Sequence, residues 1–85
     1  MKFSKVCVLG LGYIGLPTSC MFATNGVKVV GVDVNQTIVS SLQAGKVHIY
    51  EPGLRTLVED ALAEGQLEIS STPEPADAFI IAVPT

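Results

Sequence analysis

The stretch Val6-Cys-Val-Leu-Gly-Leu-Gly-Tyr-Ile-Gly15 passes from a short apolar run into a turn that carries three glycines. Gly10 permits a tight turn from strand to helix, and Gly12 lets the backbone approach a pyrophosphate. Gly15 lets the following helix press against the strand. That helix directs its unpaired N–H groups and the positive end of its dipole at the same point. The stretch therefore predicts a dinucleotide-binding turn.

The segments after this turn make the signal more specific, because three glycines alone recur by chance. The uncharged segment Tyr13–Asn25 is the expected helix, and Val27–Val32 is a second apolar run that ends at Asp33. Asp33 lies 18 positions after Gly15. This is close to the roughly 20 expected of the acid that accepts hydrogen bonds from the adenosine ribose. Strand, turn, helix, strand and acid follow in the order of a Rossmann unit.

Asp33 also bears on the choice of cofactor. A carboxylate beside the ribose repels the 2′-phosphate of NADP, and the four residues after Asp33 supply no cation to receive that phosphate. The cofactor is therefore expected to be NAD. The alternative is that Asp33 serves as a turn former or helix N-cap, since either Asp33 or Asn35 suits the start of a short helix that reaches Ala44.

The clearest amphipathic pattern comes later in the chain and has helical spacing, with apolar residues at Leu54, Leu57, Val58, Ala61 and Leu62. Pro52 is expected at the first helical position, with Glu51 as its cap. In the shorter helix before it, Ile38 and Leu42 are expected to face inward.

The last part of the sequence, residues 67–85, contains two strand patterns separated by a polar segment. Leu67–Ile69 alternates as an edge strand does, Ser70–Asp77 reads as a loop or a single helical turn, and Ala78–Val83 reads as a buried strand. The fold class is α/β: the first half of a Rossmann-type doubly wound parallel sheet, in strand order 3-2-1-4. Because ligands bind beyond the carboxyl ends of such strands, Thr85 is expected to contact the cofactor. An ordinary exit of the chain from the sheet is the alternative.

Composition limits the possible classes of function. The 85 residues carry a net charge of −3, with 48% hydrophobic and only 15% charged residues. Five scattered basic residues give no footprint for nucleic acid or an acidic membrane. Glycines and polar residues interrupt the uncharged segment Val6–Val27, which argues against a signal peptide or membrane span and favours a cytoplasmic protein.

The same composition indicates apolar surface that meets further protein. The chain is accordingly expected to be incomplete, and residues 1–85 are expected to be the N-terminal part of a dinucleotide-binding domain, since one half of a doubly wound sheet is present. Cys7 and Cys20 are expected to be buried thiols in a reducing compartment. Two cysteines and one histidine match no metal-ligand pattern, so no metal site or disulfide is expected.

Three motifs carry a family resemblance: Gly10-Leu-Gly-Tyr-Ile-Gly-Leu-Pro17, Val47-His-Ile-Tyr-Glu-Pro-Gly-Leu54 and Ile81-Ala-Val-Pro-Thr85. With them the chain resembles the N-terminus of the UDP-glucose/GDP-mannose dehydrogenase family. Its Ala-Val-Pro-Thr ending leans toward the branch that acts on N-acetylated sugars. The resemblance implies oxidation of the C6 alcohol of a UDP-sugar to an aldehyde and then, through a cysteine thioester, to a carboxylate. The resemblance further implies that two NAD are reduced, that the product serves surface polysaccharide and that the parent protein is a homo-oligomer.

The resemblance also implies which residues act here. The expected NAD contacts are Gly10, Gly12, Tyr13, Ile14, Gly15, Asp33 and Thr85. No catalytic residue is expected in this sequence, because the resemblance implies that the nucleophilic cysteine and its supporting residues lie downstream, in substrate and C-terminal domains outside these 85 residues. Cys7 and Cys20 do not take that role. The side chains of Tyr13 and Ile14 could equally pack on the sheet. His48 is expected to be structural rather than a base.

Three functions compete on this sequence. The first is the NAD-binding part of a nucleotide-sugar dehydrogenase, inactive by itself. The second is a free-standing nucleotide-sensing or interaction module that docks a partner through the edge of its fourth strand and its apolar helix faces. The third is a different Rossmann dehydrogenase, such as one acting on 3-hydroxy acids, which the motif Val47–Leu54 disfavours.

Overall fold

The computed structural model describes residues 4–82. Thr85, an expected cofactor contact, therefore lies outside the described residues. Four strands and three helices follow one another within the described part: β1 (Lys5–Leu9), α1 (Gly15–Thr24), β2 (Lys28–Val32), α2 (Gln36–Gln43), α3 (Leu54–Ala63), β3 (Leu67–Ser70) and β4 (Ala78–Ile81). Among these residues no helix has the length and apolar character that crossing a bilayer requires.

The strands form one parallel sheet in the order β3-β2-β1-β4, which confirms the predicted order. Cys7 stands at the centre of the register, paired with Val30 on one side and Phe79 on the other. The pairing continues past the strand ends, since the N–H of Gly10 donates to the carbonyl of Val32 at 2.8 Å. All carboxyl ends therefore meet at one edge, and the glycine turn leaves the sheet there.

The three helices pack on one face of the sheet and enclose the main core. The inward side chains of the strands alternate with outward ones, so Val6 and Val8 join this core and Cys7 does not. The helices contribute the following buried residues: Leu16, Cys20, Ala23, Val39, Leu42, Leu54, Val58 and Ala61. Leu11 also belongs to this core, although it lies in the glycine turn. The turn is thus anchored in the hydrophobic interior by its own side chain.

The opposite face of the sheet is covered sparsely. Its buried centre consists of Cys7, Val30 and Val32, with Ala76 of the β3–β4 connection packed against them. The connection runs as an irregular loop, so of the two alternatives for Ser70–Asp77 the loop is correct.

The prediction that Ala78–Val83 is a buried strand is wrong for its outward residues. Phe79 and Ile81 are 52% and 71% exposed. The reason is the position of β4 at the edge of the sheet, where within residues 4–82 no helix lies over that face. An apolar run alone does not distinguish a central strand from an edge strand.

Two predicted helix starts need correction. α1 begins at Gly15, so Tyr13 and Ile14 belong to the turn before it. α3 begins at Leu54, with Gly53 as N-cap in the left-handed region at φ +82°. Pro52 therefore precedes the helix instead of starting it, and a side-chain cap by Glu51 is not formed. A backbone with positive φ cannot belong to a right-handed helix, which delays the start of α3 until Leu54.

The residues that α2 and α3 bury differ in part from those that the sequence pattern predicts. In α3 the buried residues are Leu54, Val58 and Ala61, whereas Leu57 is 42% exposed. In α2 Leu42 is buried as predicted, but its buried neighbour is Val39 in place of Ile38. Ile38 is half-buried because it lies at the margin of a cavity above the sheet.

Candidate functional site

The glycine turn is shaped by two of its glycines. Gly10 has φ +103°, a conformation that side chains disfavour, and it redirects the chain from β1 toward α1. Gly15 packs directly against the backbone of Gly10. A Cβ at Gly15 would lie only 1.6 Å from the carbonyl oxygen of Gly10, which leaves no room for a side chain. The predicted tasks of these two glycines, a tight turn and a close approach of helix and strand, are confirmed.

Gly12 differs from both. A Cβ at Gly12 would meet no atom of residues 4–82 within 4 Å, so packing within the described part of the chain does not require glycine there. The space beside Gly12 opens into a cavity at the carboxyl edge of the sheet. Close approach of an external group to the backbone is one reason for glycine at such a position.

The amides that follow Gly10 and Leu11 are unpaired. Within residues 4–82 the N–H groups of Gly12, Tyr13, Ile14 and Gly15 have no acceptor, and the first turn of α1 holds no acidic residue. The N-cap residue is Ile14, whose side chain has no oxygen to offer. These amides and the positive end of the α1 dipole therefore constitute a site for an anion.

Asp33 follows β2 and bridges two backbone segments. Its Oδ2 accepts a hydrogen bond from the N–H of Leu11 at 3.0 Å, and its Oδ1 accepts one from the N–H of Asn35 at 2.9 Å. The N-cap of α2 is Asn35, whose Oδ1 accepts from Thr37 and Ile38. Asp33 therefore forms the turn that precedes α2, whereas the cap of that helix is Asn35. The half-buried carboxylate keeps further lone pairs for external donors.

A cavity of about 530 Å³ joins these elements. This volume lies within the range of small-molecule sites, roughly 300–1,000 Å³. Its wall is mostly apolar and is formed by Leu9, Gly10, Leu11, Gly12, Tyr13, Val32, Asp33, Val34, Asn35, Ile38, His48, Ile49, Ser71 and Pro73. A largely apolar wall with one carboxylate and a row of free amides suits a ligand that has a flat ring, hydroxyl groups and an anionic linker.

The structure brings together four of the residues that the sequence singled out, since Gly10, Gly12, Tyr13 and Asp33 line the cavity. Gly15 lies behind the turn as a packing residue. The side chains of Tyr13 and Ile14 are 74% and 72% exposed, so the alternative that they pack on the sheet is wrong. Ile14 does not line the cavity, although its backbone amide belongs to the unpaired row.

Sequence reasoning missed the other walls of the cavity. Val34 and Ile38 follow Asp33 closely, His48 comes from the α2–α3 connection, and Ser71 and Pro73 come from the β3–β4 connection. The signal that was available is topological: connections that leave the carboxyl ends of neighbouring parallel strands converge on one edge. That rule places Ser71 near Asp33 as soon as the strand order is known.

The two cysteines lie away from this cavity. Cys7 in β1 and Cys20 in α1 are both buried and free, which confirms their predicted state. Burial raises the pKa of the Cys20 thiol from 9.0 to about 11. A buried thiol of this kind is a poor nucleophile near neutral pH, because the reactive form is the thiolate.

The parallel sheet order, the glycine turn and the acid after β2 together define a Rossmann-type dinucleotide-binding domain. Residues 4–85 match the family described as the UDP-glucose/GDP-mannose dehydrogenase family, NAD binding domain. The chain belongs to this family, and its cofactor is NAD. The site fits that cofactor, because the unpaired amides suit a pyrophosphate and Asp33 suits a ribose without a phosphate.

Similar proteins carry related names. The chain is 58% identical to the UDP-N-acetyl-D-mannosamine dehydrogenase of Campylobacter jejuni, over 99% of this chain and 21% of that protein. It is 51% identical to the NDP-N-acetyl-D-galactosaminuronic acid dehydrogenase of Ralstonia nicotianae, over 100% of this chain and 20% of that protein. The solved structure of the UDP-N-acetyl-mannosamine dehydrogenase of Staphylococcus aureus superposes with a TM-score of 0.94 at 58% identity, over 96% of this chain and 20% of that one. The chain thus spans about a fifth of the length of these relatives.

Proposed function

We propose that this chain is the cofactor-binding part of an NAD-dependent nucleotide-sugar 6-dehydrogenase that oxidises UDP-N-acetyl-D-mannosamine to the uronate. The observation that carries the proposal is the row of unpaired amides from Gly12 to Gly15, which begins at a cavity whose wall also holds Asp33. The arrangement offers hydrogen-bond donors for a pyrophosphate and an acceptor for ribose hydroxyls in one continuous space.

Each residue has a stated role in this proposal. The amides of Gly12, Tyr13, Ile14 and Gly15 bind the pyrophosphate, and Gly10 shapes the turn that presents them. Asp33 accepts hydrogen bonds from the ribose next to adenine. Thr85, outside the described residues, contacts the cofactor from the exit of β4. When bound, NAD supplies the acceptor for a hydride from the sugar.

The substrate is supported by the names of the relatives, two of which act on UDP-N-acetyl-D-mannosamine according to those names. A UDP-glucose or GDP-mannose 6-dehydrogenase is the alternative within the same family. The sugar site and the catalytic residues belong to the substrate and C-terminal domains of the parent protein, so these 85 residues alone are expected to be inactive. The proposal further includes a cytoplasmic, homo-oligomeric parent that makes precursors of surface polysaccharide.

The family match covers nearly the whole chain and names an NAD binding domain. It therefore disfavours both the free-standing interaction module and the 3-hydroxy acid dehydrogenase. A module that only docks a partner also leaves the unpaired amides of Gly12 and Tyr13 at the cavity without an explanation. The nucleotide-sugar dehydrogenase accounts for both the site and the match.

Gly12→Ala tests the cofactor site. A methyl group at Gly12 meets no protein atom within 4 Å and requires no unusual backbone angle, so stability should change by less than about 0.5 kcal/mol. The same methyl group occupies the space that a pyrophosphate needs beside the amides. We expect the affinity for NAD to fall roughly 10- to 100-fold, the equivalent of one or two charge-assisted hydrogen bonds. Calorimetric titration with NAD and urea unfolding measure the two quantities.

Gly65→Ala is the matched control, because Gly65 is also free of neighbours within 4 Å but lies at the end of α3, far along the chain from the turn. Its positive φ of +75° predicts some loss of stability and unchanged affinity for NAD. The proposal would be wrong if the wild-type chain did not bind NAD, or if Gly12→Ala bound NAD as tightly as the wild type does.

A further inference from the structure

The carboxylate of Asp33 is bonded to two backbone amides that lie on either side of it in space. Leu11 N–H comes from the glycine turn, 22 residues earlier in the chain, and donates to Oδ2 at 3.0 Å. Asn35 N–H comes from the start of α2 and donates to Oδ1 at 2.9 Å. Asp33 therefore ties the glycine turn to the segment after β2, in addition to any contact with a ribose.

Leu11 is held at more than this one point. Its side chain is fully buried and lies over Gly31, where a Cβ would be 3.0 Å from a Leu11 methyl carbon. The preceding amide, that of Gly10, donates to the carbonyl of Val32. With its N–H fixed by Asp33 and its side chain fixed by the core, Leu11 leaves little freedom to the peptide groups that follow. Those peptide groups carry the unpaired amides of Gly12 and Tyr13.

We propose that Asp33 is a positioning residue for the phosphate-binding amides: its bond to Leu11 N–H orients the amides of Gly12 and Tyr13 toward the cavity. This inference rests on the proposed function, because it assumes that a pyrophosphate binds there. It assigns to Asp33 a second role, in addition to accepting hydrogen bonds from the ribose. Donors that are already ordered bind an anion more tightly, because the free energy of binding does not have to offset the entropy lost in ordering them.

Two roles of Asp33 predict opposite signs for a ligand that has phosphate but no ribose. If the carboxylate only accepts from ribose hydroxyls, its charge repels inorganic pyrophosphate, and removing the charge strengthens binding. If the carboxylate positions the amides, removing it weakens binding of the same ligand. The sign of the change therefore separates the two roles.

Asp33→Asn is the informative substitution because it keeps the shape and removes one acceptor. The asparagine oxygen accepts from Leu11 N–H or from Asn35 N–H, but the amide NH₂ on its other side faces a donor and cannot accept. One of the two backbone bonds is therefore lost. Glu68→Gln, on the exposed side of β3, is the matched control that removes one negative charge without touching the turn.

The experiment uses the full chain and titrates wild type, Asp33→Asn and Glu68→Gln with inorganic pyrophosphate and, separately, with NAD. We expect Asp33→Asn to bind pyrophosphate roughly tenfold more weakly than the wild type, and Glu68→Gln to bind it no more weakly. Amide hydrogen exchange of Leu11 and Asn35, followed by NMR, identifies the bond that Asp33→Asn has lost, and the weaker binding should accompany faster exchange at Leu11. A general loss of structure would instead accelerate exchange throughout β1 and β2.

The inference is overturned if Asp33→Asn exchanges the Leu11 amide faster and still binds pyrophosphate as tightly as the wild type or more tightly, or if wild type does not bind pyrophosphate. If Asp33→Asn does not fold, or if its Leu11 amide still exchanges slowly, Asp33→Glu replaces it: the charge is kept while the carboxylate moves by one methylene group, and pyrophosphate affinity should again fall. Equal affinity in Asp33→Glu overturns the inference as well. Failure of the proposed function has a different signature, since wild type would then not bind NAD.

Discussion

At the scale of single residues, the three glycines of the turn differ in what they exclude. Gly15 excludes a side chain because the backbone of Gly10 occupies the space, whereas Gly12 leaves the space open to the cavity. One glycine therefore serves the fold and the other is available to a ligand. The sequence predicts both tasks from spacing alone, and the contacts around each glycine separate them.

Gly15→Ala should destabilise the protein. Its Cβ would lie 1.6 Å from the carbonyl oxygen and 2.8 Å from the carbonyl carbon of Gly10, and both are backbone atoms that cannot rotate away. α1 would have to move away from β1, at a cost of about 3 kcal/mol or more. Urea unfolding of the variant measures this loss, and stability close to that of the wild type would contradict the packing role of Gly15.

Asp33 shows how far sequence reasoning reaches at this scale. Its residue type and its distance from Gly15 indicate a ribose-binding acid. Its bond to Leu11 could not be inferred, because that contact depends on how the turn folds back over the end of β2. The alternative role as a helix cap was equally compatible with the sequence, and it was decided by which side chain reaches the first amides of α2.

At the scale of elements, α1 and α2 begin in contrasting ways. α2 has a side-chain cap, since Asn35 Oδ1 accepts from Thr37 N–H at 3.0 Å and from Ile38 N–H at 3.3 Å. α1 has no such cap, and the unpaired amides of Gly12 and Tyr13 just before it belong to residues that line the cavity. A capped helix is stabilised from within the chain, whereas an uncapped one has donors left for a ligand.

Asn35→Ala should lower stability by about 1 kcal/mol, because it removes the oxygen that satisfies two amides of α2. For a domain of this size such a loss lowers Tm by roughly 4–8 °C. Asn35→Ser keeps an oxygen at the N-cap and should recover most of the difference. Thermal unfolding followed by circular dichroism compares the three proteins, and equal Tm values for wild type and Asn35→Ala would show that the cap contributes nothing.

Element boundaries were less predictable than element types. The sequence pattern starts α3 at Pro52, too early, because it does not reveal the positive φ that Gly53 adopts just before the helix. The burial of β4 was overestimated because hydropathy does not say which strand lies at an edge. Both errors concern tertiary surroundings, whereas apolar runs, helical spacing and turn residues together identify each of the elements found within residues 4–82.

At the scale of the whole molecule, the carboxyl and amino ends of the parallel strands have different roles. The carboxyl edge holds the glycine turn, Asp33 and the cavity. The opposite edge holds the start of β1, where Asp77 and Glu74 of the β3–β4 connection bind Ser4 and Lys5. These bonds from the β3–β4 connection hold β4 beside β1 at the amino ends of the strands. They therefore help to maintain the strand order on which the site at the carboxyl ends depends.

Asp77 is the centre of this lower cluster. Its Oδ2 accepts from Ser4 Oγ at 2.8 Å, from Ser4 N–H at 2.8 Å and from Lys5 N–H at 2.9 Å. The Ser4 hydroxyl, followed by the amides of Lys5 and Ser4, lowers the pKa of Asp77 below its ordinary value of 3.8. Because the folded pKa is the lower one, the carboxylate stabilises the fold fully above the ordinary value and loses this contribution as the pH falls through the folded pKa.

Asp77→Asn should therefore be less stable than wild type near neutral pH, and the difference should shrink once the pH falls below about 4, where the unfolded carboxylate takes up its proton. The asparagine accepts the same donors without a charge, so hydrogen bonds that were charge-assisted become ordinary ones. Urea unfolding of both proteins at about pH 7 and about pH 3 measures the two differences. Glu59→Gln, which alters the exposed pair with Arg55, is the control and should show little difference at either pH. A difference between wild type and Asp77→Asn that stays constant over this range would mean that the Asp77 carboxylate does not link β4 to β1 through its charge.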